Sequence, residues 1–394
     1  MRVLLTVLMA LALLLVPTAS KADALDSLLA RHLAWRGGDA FTRLESIHVK
    51  GKTSTGGLQG SMESWSHRDG RFRGDADYGV VRESMAITSE GGWKLNPSGQ
   101  VEDASPTDAR DARHRVALDF GTALRGSSGA KLVPQPDAPR DGRTWKVVRI
   151  TFGDEDLYDV FLDEASGALH GFRIREDNVT RFVRLGDWRQ VQGVRMPFLE
   201  EELTDNPDSD ARTVVETLEL NVPLAPAVFE RPEDVRKATF AKGRHGTGFI
   251  PFEFFNENRV YIPAQVNGRA TQVLLDSGAA MTVVDTVYAR ELGLKTQGQI
   301  AAVGSGGQAP AQFAGGVDIT LGELRLTGLT VAVIDLADVA RQIGHPLPVI
   351  LGKEAFNQLV VDGADGGAHA EGWKQAPAHP ARLLLGRVKV WVAA

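Results

Sequence analysis

The sequence predicts a mainly β protein built as two successive domains, a large antiparallel sheet with a helix followed by a second all-β unit. Three observations carry that expectation. Segments such as Trp145-Lys146-Val147-Val148-Arg149-Ile150 and Tyr158-Asp159-Val160-Phe161-Leu162 are short and alternate in the manner of strands with one wet face. Turn signals separate them, and Asn267-Gly268 is the strongest because both residues tolerate positive φ. A chain of 394 residues also exceeds what one ordinary core absorbs.

Composition narrows the setting. With 43% hydrophobic and 24% charged residues the chain is globular, and a net charge of -6 argues against nucleic acid or an anionic membrane as main partner. Arg2, the apolar run at 4–16 and Ala22-Asp23-Ala24 have the form of a cleaved export signal over 1–24, too short to span a membrane comfortably. There is no cysteine, hence no lipid-attachment thiol and no disulfide. The expectation is a mature periplasmic or secreted bacterial protein beginning near Leu25, stabilised by its core and not by cross-links.

The first domain is read over 25–235. An amphipathic helix at 25–35 ends at Gly37-Gly38. Strands follow from Ile47 onward, with Asp163-Glu164-Ala165-Ser166-Gly167 as a hairpin turn. Residues 96–143, rich in Pro, Asp, Gly and Arg, are expected to be mostly loop with one helix at 114–120. The order of helix, Gly-Gly, Phe161 to Leu169, Gly186-Asp187-Trp188 through Met196-Pro197, and Leu218-Glu219-Leu220-Asn221-Val222-Pro223 resembles the outer-membrane-lipoprotein-sorting proteins. That resemblance implies a curved sheet, a half-barrel cupping an apolar cavity for lipid or an apolar peptide. A packed scaffold without ligand is the plain alternative. Residues 236–247 turn basic and lose periodicity, which reads as a solvated linker.

The second domain is read over 248–394. After two strands and Asn267-Gly268, an apolar strand enters Asp276-Ser277-Gly278-Ala279, and apolar character resumes at Met281. A carboxylate in a turn gripped on both sides by buried chain is a place where position and pKa can be controlled. Asp285 is placed to cap a helix to Leu292, closed by Gly293. A hairpin tipped by Gly304-Ser305-Gly306-Gly307 comes next, then further strands. Ile350-Leu351-Gly352 leads into a short helix at 353–359, and strands at 360–362 and 383–392 end the chain.

An Asp-Ser-Gly triplet alone is weak, but in this order of elements it resembles the retropepsin-like aspartic proteases in their single-motif bacterial form, over 249–394. The resemblance implies an acid-protease β-barrel, Asp276 as the catalytic carboxyl, Ser277 bracing the two catalytic loops, Gly278 and Ala279 completing the loop, and Gly352 beneath it. Gly304, Ser305, Gly306 and Gly307 would be the flap. Physically, peptide hydrolysis without a metal, cofactor or covalent intermediate needs one group to take a proton from water and another to give one, and two carboxyls sharing a proton do both. Only one such motif is present, so the partner carboxyl should come from a second copy in a homodimer. The insertion at 363–380 departs from a compact ending and stands where it could reshape that contact.

Other chemistries find little support. Gly304-x-Gly306 lacks the strand-to-helix setting of a dinucleotide fingerprint, Asp362 to Gly367 lacks the terminal Glu of a calcium loop, and the nine histidines form no His-Glu-x-x-His. The expectation is therefore an exported aspartic endopeptidase acting on polypeptides. The alternative is a non-catalytic periplasmic lipid- or peptide-binding protein that keeps the scaffold.

Overall fold

The computed structural model describes residues 21–391 apart from 97, 154–156, 177–178, 234, 236, 245, 257, 305–306, 354, 356–359 and 366–383. Residues 1–20 of the expected leader, Ser305 and Gly306 of the expected flap, most of the helix read at 353–359 and most of the 363–380 insertion lie outside the described residues.

The first helix, α1 (Lys21–Arg36), begins inside the stretch read as leader. A short helix α2 (Asp39–Thr42) follows the Gly37-Gly38 break. Thirteen strands then form one sheet: β1 (Ser46–Thr55), β2 (Leu58–His67), β3 (Phe72–Asp77), β4 (Arg82–Thr88), β5 (Gly91–Leu95), β6 (Val101–Asp103), β7 (Lys131–Arg140), β8 (Arg143–Thr151), β9 (Leu157–Leu162), β10 (Leu169–Glu176), β11 (Val179–Val191), β12 (Val194–Leu203) and β13 (Ala211–Leu220). The chain lays β1 to β6 outward in order. Helix α3 (Pro106–Asp119) then crosses to the opposite edge, and β7 to β13 return until β13 pairs with β1. Every neighbouring pair is antiparallel, as the alternation predicts.

Helices α1 and α3 cover the inner face. Leu28 and Ala117 pack with Val148, Ile150, Val160, Leu162 and Phe172 in one core, and Phe41, Val116 and Phe120 pack with Val194, Met196 and Phe198 in another. On β9, Asp159 is 2% exposed and held by Arg149, Arg173 and Arg175 from the strands on either side, so its charge is compensated where it is buried. The turn at 163–167 fixes α1: Gly167 has φ +71°, and a Cβ there would stand 2.3 Å from the His32 nitrogen. Only glycine lets helix and turn approach this closely.

Residues 96–143 are more ordered than their composition implies. Ser105 and Asp108 make a reciprocal capping box that starts α3 eight residues before the expected helix, at Pro106. The proline-rich stretch at 131–140 is a strand, β7, which stands at the sheet edge where a missing N–H costs no ladder bond. The inner face encloses a cavity of about 730 Å³. Its wall is apolar at Val49, Met62, Phe172, Leu185 and Leu218, but it also carries the Arg115–Asp119–Glu200 cluster and the Lys94–Asp108 pair. It is thus not the purely apolar cup that the resemblance implies.

The stretch read as a solvated linker is docked instead. β14 (Ala238–Phe240) pairs with β21 (Leu324–Ile334), Lys237 donates to the Ser98 carbonyl at 2.8 Å, and Arg244 pairs with Glu323 at 2.7 Å. The second sheet continues with β15 (Gly246–Phe255), β16 (Arg259–Val266), β17 (Arg269–Leu275), β18 (Val283–Asp285), β19 (Gln297–Gly304), β20 (Gly307–Leu321), β22 (Val349–Leu351), β23 (Val360–Asp365) and β24 (Leu384–Trp391). Its order is β19-β20-β21-β18-β22-β17-β16-β15-β24-β23, with β16 also meeting β20, so the sheet curls around one apolar core. Asp285 caps α4 (Thr286–Glu291), accepting from Val287 and Tyr288, and Gly293 with φ +67° follows its end. Helix α5 (Ala337–Ile343) was not expected from the sequence.

His32 carries a testable consequence. It is 3% exposed, its Nδ1 donates to the Gly167 carbonyl at 2.9 Å, and burial together with the Arg36 charge lowers its pKa from 6.5 to about 4. The unfolded chain therefore binds a proton that the fold refuses between those pH values. The associated stability is complete above pH 6.5 and is lost as pH falls toward 4, amounting to about 3 kcal/mol at about 1.4 kcal/mol per unit. Denaturant titrations from pH 7.5 to 4 should show this decline, and His32→Gln should shallow it by close to one proton.

Candidate active site

The site is built from three short strands. β17 ends at Leu275 and delivers Asp276. After residues 276–282 the chain re-enters the sheet as β18. β22 lies between the two, parallel to β17 through Leu274–Ile350 and Leu275–Leu351, and antiparallel to β18 through Val283–Ile350 and Val284–Val349. A loop whose arms flank one buried strand has little freedom in where it places its tip.

Hydrogen bonds complete the grip. The Asp276 N–H donates to the Leu351 carbonyl at 3.0 Å, and the Lys353 N–H donates to the Ala279 carbonyl at 3.0 Å. Within the loop, the Gly278 N–H donates to Asp276 Oδ1 at 2.8 Å, which orients the carboxylate. Asp276 is half-buried, while Ser277 and Gly278 are exposed, so the loop presents its carboxylate and hydroxyl on an open face of the single chain. Gly352 sits directly beneath: a Cβ there would lie 2.4 Å from the Met281 carbonyl carbon and 2.8 Å from the Thr282 nitrogen.

Thr282 is the supporting residue that the sequence reading missed. It is 0% exposed, its Oγ1 accepts from the Gly352 N–H at 3.2 Å, and its carbonyl accepts from the Ala332 N–H at 2.9 Å. A lone hydroxyl residue between Met281 and Val283-Val284 was the available signal, since a polar group at a buried position needs partners. Below the loop, Val283, Ile334 and Ile350 are half-buried and pack against the cluster that contains Leu274 and Tyr261.

Of the residues read as the flap, Gly304 pairs with Gly307 at the end of the β19–β20 ladder, and Gly307 has φ +108°. Ser305 and Gly306 lie outside the described residues. Among the described residues no three His, Asp or Glu side chains gather as a metal site requires.

The carboxylate loop thus clasps a short central strand in the same small barrel as the β19–β20 hairpin. Residues 262–355, which span that loop and Gly352, match the family described as Aspartyl protease. Similar solved structures include a retropepsin-like aspartic protease from Rickettsia conorii, at 16% identity over 37% of this chain and 94% of that one, with a TM-score of 0.22. For the first domain they include a LolA superfamily protein from Nitrosomonas europaea, at 10% identity over 52% and 97% with a TM-score of 0.36. A DUF1329 family protein from Desulfovibrio piger is similar over the same 52% and over 97% of its own chain, at 12% identity and a TM-score of 0.37. No curated protein matches the chain.

The loop's dependence on its support can be measured. Gly352→Ala should lower stability by about 1–3 kcal/mol, the typical result of forcing atoms into packed backbone. Thr282→Val, which keeps the shape and removes the acceptor for the Gly352 N–H, should cost about 1–3 kcal/mol. Urea unfolding midpoints read both, and an unchanged midpoint in either would contradict the clasp.

Proposed function

We propose that the protein is an exported aspartic endopeptidase that hydrolyses peptide bonds through a water activated by Asp276 and its counterpart, Asp276 of a second copy. The observation that supports this reading best is the position of Asp276, held by the Gly278 N–H and the clasp on β22 yet facing outward from one chain. Two such loops brought together about a two-fold axis place two carboxyls side by side, and like charges that close cannot both ionise, so the pair holds one proton. The ionised member takes a proton from water as the oxygen attacks the scissile carbonyl. The protonated member gives its proton to the carbonyl oxygen, and the resulting diol collapses with proton transfer to the leaving nitrogen. Ser277 supports the paired loops in this scheme, and residues 304–307 close over the polypeptide and keep out bulk water.

Export rests on the apolar leader at 4–16 and the Ala22-Asp23-Ala24 pattern after it. The cavity of the first domain supports a second binding role there, for a lipid or an apolar peptide segment, since its volume falls within the about 300–1,000 Å³ typical of ligand sites. A non-catalytic binding protein would use that cavity alone and need no second copy.

Purified protein should cleave a peptide library in a pepstatin-sensitive manner, with the rate falling on the alkaline side as the pair loses its shared proton. Asp276→Asn should abolish cleavage while leaving the circular dichroism spectrum and melting temperature unchanged. Full activity in that variant, or sedimentation as monomer alone at concentrations where cleavage proceeds, would overturn the assignment.

A further inference from the structure

The β19–β20 hairpin is the outermost element of its sheet, yet its outer side is occupied by the first domain. Between Gln297 and Ile300 the register with β20 slips, and Gly298 within the slip has φ +76°. Such a bulge re-aims backbone groups that would otherwise join the ladder. Here the Gln299 N–H donates to the carbonyl of Gly56, in the turn between β1 and β2, at 2.5 Å. Leu58 lies so close that a Cβ on Gly298 would stand 2.9 Å from its side chain. The 3₁₀ turn Pro207–Ser209, between β12 and β13, runs along the same strand.

The turn between β3 and β4 makes a second joint. Thr330 Oγ1 donates to the Val80 carbonyl at 3.0 Å, and Tyr78 and Val81 share a buried cluster with Met281, Phe313 and Ala332. Phe313 pairs with Gln297 across the hairpin and with Ala332 on its other side. Ala332 in turn donates to Thr282, at the end of the Asp276 loop. Phe313 also forms part of the wall of the first domain's cavity. Phe313 of the hairpin therefore shares a buried cluster with Met281 and Ala332 beside the Asp276 loop and also lines the cup.

We propose that the first domain is a positioning element of the peptidase. Leu58, Tyr78 and Val81 act through Phe313 and the Gly298 bulge to hold β19 and the Ala332–Thr282 support of the Asp276 loop in the arrangement that binds substrate. The proposal rests on the peptidase reading of Asp276. A two-stranded hairpin is marginal by itself and needs packing on a neighbour to hold its place. The bulge concentrates bending in β19 at the point where the other domain grips it. Simple glue between domains would need neither an edge-strand N–H aimed across the boundary nor a shared residue behind the catalytic loop.

Hydrogen exchange of the full chain tests this without requiring activity. In an Asp276→Asn background, Leu58→Ala and Val81→Ala should speed exchange in 297–304 and 307–313 by about tenfold or more while β8 to β10 stay unchanged. Thr330→Val, a milder change at the second joint, should act in the same direction. In the Asp276 protein, Leu58→Ala should raise KM about tenfold with a smaller change in kcat and an unmoved pH profile, and Leu58→Ile should restore KM. Unchanged exchange at 297–313, or kcat and KM equal to those of the parent, would overturn the proposal. Faster exchange in a protein whose parent cleaves nothing would instead uphold the joint and reject the peptidase reading.

Discussion

The contact on which the site depends is that of Gly352 with the backbone of Met281 and Thr282. No side-chain atom fits between them, so the end of β22 can slide under the Asp276 loop and offer its two sides to β17 and β18. From that contact follow the pairing of Ile350 on both sides, the bond from Asp276 to Leu351, and the burial of Thr282 as a bridge to Gly352 and Ala332. A carboxylate in an ordinary hairpin turn would move with its loop. This one is tied to the centre of a barrel core.

The same support continues across the domain boundary. Ala332, which bonds to Thr282, packs with Phe313 against Tyr78 and Val81 of the first domain. The connecting chain is also tied down, through β14 on β21 and through Lys237 on Ser98. The two sheets meet through turns and one buried cluster, and the first domain's cavity ends on a residue of the second. Cup and barrel therefore share buried residues at their boundary.

Much of the local structure was legible because it depends on near neighbours. Asn267-Gly268 gave its hairpin, Asp285 its helix cap, and Gly293 the helix end. The misreadings have equally local causes. Pro134, Pro136 and Pro139 suggest loop in any scan, but β7 is an edge strand, and edge position is not written in the residues themselves. The basic run after 235 looks like solvated linker because charge density is read without knowing that Glu323 and the Ser98 carbonyl stand opposite. Ser105-Pro106 with Asp108 was a readable helix start, outweighed by the surrounding Asp, Pro and Gly.

The sequence by itself determined that the chain is mainly β, that Asp276-Ser277-Gly278 ends an apolar strand, and that Gly352 follows a second apolar strand far downstream. These are properties of alternation and of residue type at a turn, which act over a few residues. Tertiary structure decided that β22 lies between the arms of the loop, that Thr282 links the loop to Gly352 and Ala332, that the cup's wall mixes charge with apolar surface, and that Gly298 turns Gln299 toward Gly56. Each of those joins residues tens to hundreds of positions apart, and such contacts are fixed by the packing of whole sheets, which no local pattern encodes.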